Sequence, residues 1–152
     1  MEAMENRKYP IASFYANILV FKNYYEEKWF PYTMPISDIY GLRQALDNVR
    51  EDKDIYERHA KLAEFTREEL KKMGLNLYGK NGFSNTVSVF YVPEGFTADE
   101  ILLTLREKYK IMIAGCFDIF AGKLLRIGQM GENANEADVK ETLVALKEIL
   151  KK

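Results

Sequence analysis

The chain has 152 residues, of which 47% are hydrophobic and 30% are charged, and its formal net charge is −1 at pH 7. This composition is typical of one globular domain, and the balanced charge gives no general attraction to nucleic acid or to an anionic membrane. No apolar run approaches the roughly 20 residues of a bilayer span, and the polar start lacks the apolar segment of a signal peptide. The single cysteine, Cys116, excludes an internal disulfide. We therefore expect a cytoplasmic protein with neither a nucleic-acid nor a membrane partner.

The first half of the sequence predicts helices. Asn17 is a suitable N-cap for a helix over Ile18–Trp29, whose aromatic face is either core or an interface. Apolar residues at helical spacing predict a second helix over Pro35–Arg50 and a third over Asp54–Met73. Gly74 ends the third helix, because glycine readily adopts the left-handed conformation that terminates helices.

The second half predicts short strands between helices. Four strands are expected: Leu75–Tyr78, Thr86–Val92, Ile111–Ala114 and one within Gly122–Gly131. Thr97 and Glu100 form a capping box for a helix that ends near Tyr109, and Asn135 precedes a last helix over Glu136–Lys152. This order predicts an α+β fold, with a small antiparallel sheet of three or four strands and helices packed on one face.

Arg126 lies among Leu124, Leu125 and Ile127, which predict a buried strand. Arginine is almost never fully buried unless it is paired. Arg126 therefore either pairs with an acid inside the protein or binds an anion from outside. A strand would hold its guanidinium rigidly, and the planar fork can donate two parallel bonds to a carboxylate. The pattern alone favours internal pairing.

The other candidates for chemistry are less specific. His59 is the only histidine, and a structural role is favoured because metal sites usually need several His or Cys ligands. Cys116 is expected to be a small buried thiol, since no activating base is evident. No glycine-rich phosphate loop occurs, and no carboxylate pair stands out as an acid–base site. We therefore predict no metal site and no catalytic residue.

Two stretches together resemble a known family. Thr33–Leu46 (TMPISDIYGLRQAL) resembles the helix that opens the C-terminal domain of class V pyridoxal-phosphate aminotransferases, and Gly122–Gly131 (GKLLRIGQMG) resembles their late strand. The closest group is that of the alanine–glyoxylate and serine–pyruvate aminotransferases, and the resemblance covers the chain from about Tyr9 onwards. It implies the small C-terminal domain of a fold-type I aminotransferase, with pyridoxal 5'-phosphate as cofactor. It also implies a homodimer that acts on a small amino acid and a 2-oxo acid.

The resemblance implies roles for two residues. The arginine at the position of Arg126 binds the substrate's α-carboxylate, which favours the anion from outside. The threonine at the position of Thr33 contacts the cofactor phosphate of the neighbouring subunit. Phe30 stands where the family has a tyrosine, and Cys116–Ala121 is bulkier than the family's glycine-rich loop.

The resemblance also implies what this sequence lacks. The lysine that forms the Schiff base with the cofactor lies in a large N-terminal domain of the family, and Lys123 matches a different position. We expect a single domain over residues 1–152, with a lead-in over residues 1–34 and an aminotransferase-like small domain over residues 35–152. The large cofactor-binding domain is expected to be absent. The parent would be a transaminase, whereas this chain is expected to be inactive by itself, and its own status as an enzyme stays open.

Two alternatives remain at this point. The chain could belong to a relative of the cysteine desulfurases, with Cys116 as the sulfur acceptor. It could also be a non-catalytic α+β module that binds a partner through the aromatic residues of Ile18–Trp29.

Overall fold

The computed structural model of the protein describes residues 1–151, which group into two compact units. The first unit is Met1–Glu51, and the second begins at Asp52. The organisation expected from the sequence, one domain with a lead-in over residues 1–34, stays a prediction, because grouping by contacts does not define what folds independently.

The first half of the first unit consists of short helical turns. They are α1 over Glu2–Glu5, a 3₁₀ turn over Ile18–Phe21 and α2 over Tyr24–Glu27. The prediction of one helix over Ile18–Trp29 is therefore wrong. Asn17 does cap the first turn, where its side chain accepts a hydrogen bond from the Leu19 N–H at 3.1 Å. Lys28 adopts a left-handed conformation (φ 52°) that ends α2. Ring packing competes with a continuous helix here, since Tyr32 contacts three other aromatic rings, those of Phe14, Tyr15 and Phe21.

Helix α3 covers Ile36–Glu51, within a residue of the predicted start and end. The structure describes every residue of this helix, and none of them is buried. Its large apolar side chains are about half exposed or more: Ile36, Ile39, Tyr40, Leu42, Leu46 and Val49. Burial within the first unit therefore contributes little stabilisation to this helix.

The second unit contains a three-stranded antiparallel sheet in the order β1-β3-β2. Its strands are β1 over Val87–Tyr91, β2 over Ala114–Gly115 and β3 over Leu124–Gly128. The predicted small antiparallel sheet is confirmed. The predicted strand over Leu75–Tyr78 is wrong, since Leu77 forms only an isolated bridge with Phe90. The predicted strand over Ile111–Ala114 is displaced, and only its last residue belongs to β2.

Three helices pack on one face of this sheet, which confirms the α+β prediction. They are α4 over Ile55–Lys72, α5 over Ala98–Thr104 and α6 over Glu136–Leu150. The capping box of Thr97 and Glu100 begins α5 as predicted, and a π-helical turn over Leu105–Tyr109 follows. The predicted end of the last helix at Lys152 lies outside the described residues.

The core lies between the sheet and these helices. Phe90, Leu125 and Ile127 of the strands join one apolar cluster with helical side chains that include Leu70, Ile101, Leu105, Leu143 and Leu146. Burying such a side chain contributes roughly 1.5–3 kcal/mol.

Among residues 1–151, no helix has the length and apolar character needed to cross a membrane.

Candidate functional site

Arg126 is the middle residue of β3, the central strand of the sheet. Its neighbours Leu125 and Ile127 belong to the apolar cluster beneath the helices. Because successive side chains of a strand point to opposite faces, Arg126 lies on the face that the helices leave open. Its partners on the adjacent strands are Val89 and Ala114. The sequence prediction of a strand with an arginine at its centre is confirmed.

The half-buried guanidinium of Arg126 has one contact in β2 and one in the loop that follows it. Its Nε–H donates a hydrogen bond to the carbonyl oxygen of Gly115 at 2.9 Å. Its guanidinium carbon lies 5.2 Å from the centroid of the Phe117 ring, within the range of a cation–π interaction. Within residues 1–151, no carboxylate oxygen lies within 4.0 Å of this guanidinium. The internal ion pair favoured by the pattern alone is therefore not formed in this part of the chain.

Arg126 also lines a cleft of about 390 Å³ on the open face of the sheet. The other lining residues are Val87, Met112, Ile113, Ala114, Gly128, Met130 and Asn133. Among these described residues, Arg126 is the only one with a formal charge. The other lining residues carry no charge, so none of them competes with an anion for the guanidinium.

Arg58 provides a second arginine site for comparison, near the start of α4. Its Nη1 and Nη2 atoms donate to Oδ1 and Oδ2 of Asp52 at 2.8 and 2.5 Å. Its Nε–H donates to the carbonyl oxygen of Ala134 at 3.0 Å. The hydrogen bond from Arg58 is the largest cause that holds the pKa of the Asp52 carboxyl below its usual value. The local sequence pattern did not predict this tie, in which Asp52 lies six residues before Arg58 and Ala134 lies 76 residues after it.

Thr33 lies in the first unit, in the segment without helix or strand that precedes α3. Its side chain is exposed, so its hydroxyl can reach a ligand in solvent. N–H groups at the start of a helix are favourable partners for phosphate oxygens. Phe30 is also exposed and has no hydroxyl. Thr33 and Arg126 belong to different units of the structure.

The remaining candidates lie apart from this cleft or show no activating contact. His59 is buried, and its Nδ1 lies 2.6 Å from the carbonyl oxygen of Ile55, which fits the predicted structural role. Cys116 is a half-buried free thiol after β2, and Lys123 is exposed just before β3. Residues 1–151 contain no group of three or more His, Cys, Asp or Glu side chains that could hold a metal ion.

A buried polar pair on the core face of the sheet was also missed. Gln129 is fully buried, and its Nε2 donates to the Ser88 hydroxyl at 3.2 Å. Its Oε1 has no hydrogen-bond partner among the described residues. Alternation along β3 indicates that Gln129 points away from Arg126 and its cleft.

No protein-family model matches the chain. The chain is 39% identical over 142 residues to an uncharacterized aminotransferase of Methanocaldococcus jannaschii, a match that covers 91% of this chain and 37% of the relative. It is 36% identical over 108 residues to the serine–glyoxylate aminotransferase of Methylorubrum extorquens, covering 68% of this chain and 27% of the relative. The solved alanine–glyoxylate aminotransferase of Nostoc sp. is similar with a TM-score of 0.88 at 27% identity, covering 98% of this chain and 41% of that one.

These relatives are aminotransferases by name, and the similarity to the first and third of them extends over nearly all of this chain. The chain belongs to the class V family of alanine–glyoxylate and serine–glyoxylate aminotransferases. The resemblance stated from the sequence is thus confirmed. The matches cover between 27% and 41% of the length of these relatives, which fits the predicted C-terminal domain.

Proposed function

We propose that this chain supplies the carboxylate-binding arginine of an aminotransferase, which transfers an amino group between a small amino acid and a 2-oxo acid. The observation that carries the proposal is the guanidinium of Arg126, which has no acidic partner within residues 1–151 and lines an otherwise uncharged cleft. Its terminal nitrogens can donate two parallel charge-assisted bonds to one carboxylate. Both the amino acid and the 2-oxo acid carry that carboxylate, so one arginine can orient both substrates.

The family implies pyridoxal 5'-phosphate in the parent enzyme, and we propose that Thr33 helps to hold its phosphate. The exposed hydroxyl of Thr33 close to the start of α3 supports this role. Phe30 cannot donate the hydrogen bond of the family's tyrosine, so these residues fit only part of the cofactor site. When it is bound, the cofactor supplies the electron sink that amino-group transfer requires.

We propose further that this chain does not catalyse transamination by itself, because no lysine here matches the family's covalent anchor for the cofactor. The parent enzyme is proposed to be a cytoplasmic homodimer. The role of Thr33 supports the homodimer, since the family's threonine contacts the cofactor of the neighbouring subunit. The single, half-buried Cys116 supports a reducing compartment.

The test is pyruvate binding to the purified chain, measured by isothermal titration calorimetry. We expect weak binding that Arg126→Gln abolishes and Arg126→Lys weakens, because lysine keeps the charge and loses the planar fork. Arg106→Gln is the matched control, since Arg106 is exposed and pairs with Glu107 at 2.8 Å outside the cleft of Arg126. Equal binding by the wild type and Arg126→Gln would refute the proposed role of Arg126.

A sulfur-transfer reaction is the second candidate, because Cys116 follows Gly115, the residue whose carbonyl binds Arg126. A sulfur acceptor needs a thiolate, whereas Cys116 has no basic side chain as a hydrogen-bond partner among the described residues. We expect iodoacetamide to modify Cys116 no faster than it modifies a small free thiol at the same pH. A rate tenfold or more above that reference would favour the desulfurase-like reaction.

A further inference from the structure

We infer that Phe117 positions Arg126, so that a substrate carboxylate binds end-on, which here means through Nη1 and Nη2 of the guanidinium. This inference rests on the proposed function of Arg126. The Phe117 side chain is 78% exposed, so core packing does not explain its place. The ring contact with Arg126, at 5.2 Å, does give it a partner.

The hydrogen bond at Nε decides which edge of the guanidinium is open. A carboxylate can bind an arginine end-on or side-on, and the side-on mode uses Nε together with one Nη. The Nε–H of Arg126 already donates to Gly115 at 2.9 Å, so side-on binding would have to break that bond. The Nη1 and Nη2 atoms remain for the substrate.

The Arg58 site shows the same arrangement with its carboxylate in place. There too the Nε–H donates to a backbone carbonyl, that of Ala134, and both terminal nitrogens bind one carboxylate, that of Asp52, end-on. Arg126 has the carbonyl anchor and the open end of the fork, with an aromatic ring added beside it.

The loop that carries Phe117 is held by its own hydrogen bonds. The Phe120 N–H donates to the Phe117 carbonyl at 3.1 Å, and the Ala121 N–H donates to the Asp118 carbonyl at 3.0 Å. The Phe120 ring packs against Tyr78 with 5.3 Å between centroids. Asp118 adopts a left-handed conformation (φ 53°), which is uncommon for residues other than glycine. These contacts hold the backbone that follows Phe117.

A ring beside the guanidinium affects the carboxylate site in two ways. It attracts the cation and so restrains the fork, and it excludes water from one side, which strengthens charge-assisted hydrogen bonds. Both effects act through Arg126 and not on the rest of the substrate. The loss of the ring should therefore weaken binding of every small monocarboxylate by the same factor, about two- to fivefold.

The experiment titrates pyruvate and acetate into the full chain and follows the arginine side-chain N–H signals by NMR. We expect Phe117→Leu to weaken both ligands about two- to fivefold and Phe117→Tyr to retain wild-type affinity. Phe83→Leu is the matched control, because Phe83 lies 5.1 Å from the Arg67 guanidinium and does not line the cleft of Arg126. That variant should bind both ligands as the wild type does.

The outcomes separate this inference from the proposed function. Wild-type affinity in Phe117→Leu, together with lost binding in Arg126→Gln, would overturn the role of Phe117 and leave that of Arg126 intact. A larger shift of the Arg126 Nε–H signal than of its Nη signals would overturn end-on binding. Unchanged binding in Arg126→Gln would overturn the proposed function and this inference with it.

Discussion

Arg58 and Arg126 are anchored in the same way, since the Nε–H of each donates to a backbone carbonyl, at 3.0 Å to Ala134 and at 2.9 Å to Gly115. They differ at the other end of the guanidinium. The fork of Arg58 is filled by Asp52, whereas that of Arg126 has no carboxylate within residues 1–151. The same side chain, held in the same way, is thus a structural tie at one site, whereas at the other its terminal nitrogens are open and we propose them as the carboxylate site.

The largest expected effect is on the stability of the second unit. Arg58→Gln should lower the midpoint of thermal unfolding by several degrees, because it removes a bidentate pair and a bond that ties α4 to Ala134. Arg126→Gln should leave the midpoint nearly unchanged, since it breaks one partly buried hydrogen bond and one ring contact and leaves no acidic partner of residues 1–151 unpaired. Circular dichroism melts of both variants measure this. An equal loss in Arg126→Gln would return Arg126 to a structural role.

The second prediction converts the Arg58 site into an open one. Asp52→Ala should destabilise the chain and leave the fork of Arg58 without its carboxylate. Acetate should then bind Arg58 in place of the lost carboxylate and recover part of the decrease in melting midpoint, because a ligand that binds only the folded state stabilises it. The measurement is the melting midpoint with sodium acetate against equal sodium chloride. An equal rise of the midpoint in sodium acetate and sodium chloride would contradict the claim that an arginine held in this way binds a carboxylate when its fork is open.

The third prediction concerns pH. Arg58 lowers the pKa of Asp52 in the folded state, so the stabilisation is present above the ordinary aspartate value and is lost as the pH falls through the folded value. Asp52→Asn should therefore be less stable than the wild type at pH 7. The difference in free energy of unfolding between the two should narrow below about pH 4. Urea unfolding at several pH values tests this. A difference in free energy of unfolding that stays constant down to pH 2.5 would mean that Arg58 does not lower the pKa of Asp52.

The smallest expected effect is on the exposed aromatic residues. Phe117→Leu and Phe83→Leu should each leave the unfolding midpoint almost unchanged, because both side chains are exposed, at 78% and 39%. Thermal melts check this before any binding comparison. A marked loss of stability in Phe117→Leu alone would show that its ring packs into the fold and does not merely position Arg126.

Sequence reasoning succeeded where the signal is local. The glycines and apolar residues around Arg126 predicted β3, and the spacing of Thr97 and Glu100 predicted the start of α5. It failed over Ile18–Trp29, where a helical spacing of aromatic residues is overridden by ring packing around Tyr32. Intrinsic periodicity does not contain such tertiary contacts.

In the candidate site, too, the sequence predicted what is local and missed the contacts between distant segments. The sequence identified Arg126 and its two possible partners, an internal acid or an external anion. The pattern alone favoured the internal acid, which residues 1–151 do not supply, and it could not show this because any acid would have to come from other strands or loops. The Phe117 contact depends on the conformation of the loop after β2, and the Asp52–Arg58–Ala134 tie joins distant segments. Neither leaves a local pattern in the sequence.

The most direct test of the central claim observes both arginines in one sample. Pyruvate is titrated into the wild-type chain while the side-chain N–H signals of Arg58 and Arg126 are recorded by NMR. We predict that the Nη signals of Arg126 shift in a saturable way, while those of Arg58 stay in place because Asp52 occupies its fork. Signals of Arg126 that do not move, or that move no more than those of Arg58, would contradict the claim that Arg126 is an open carboxylate site.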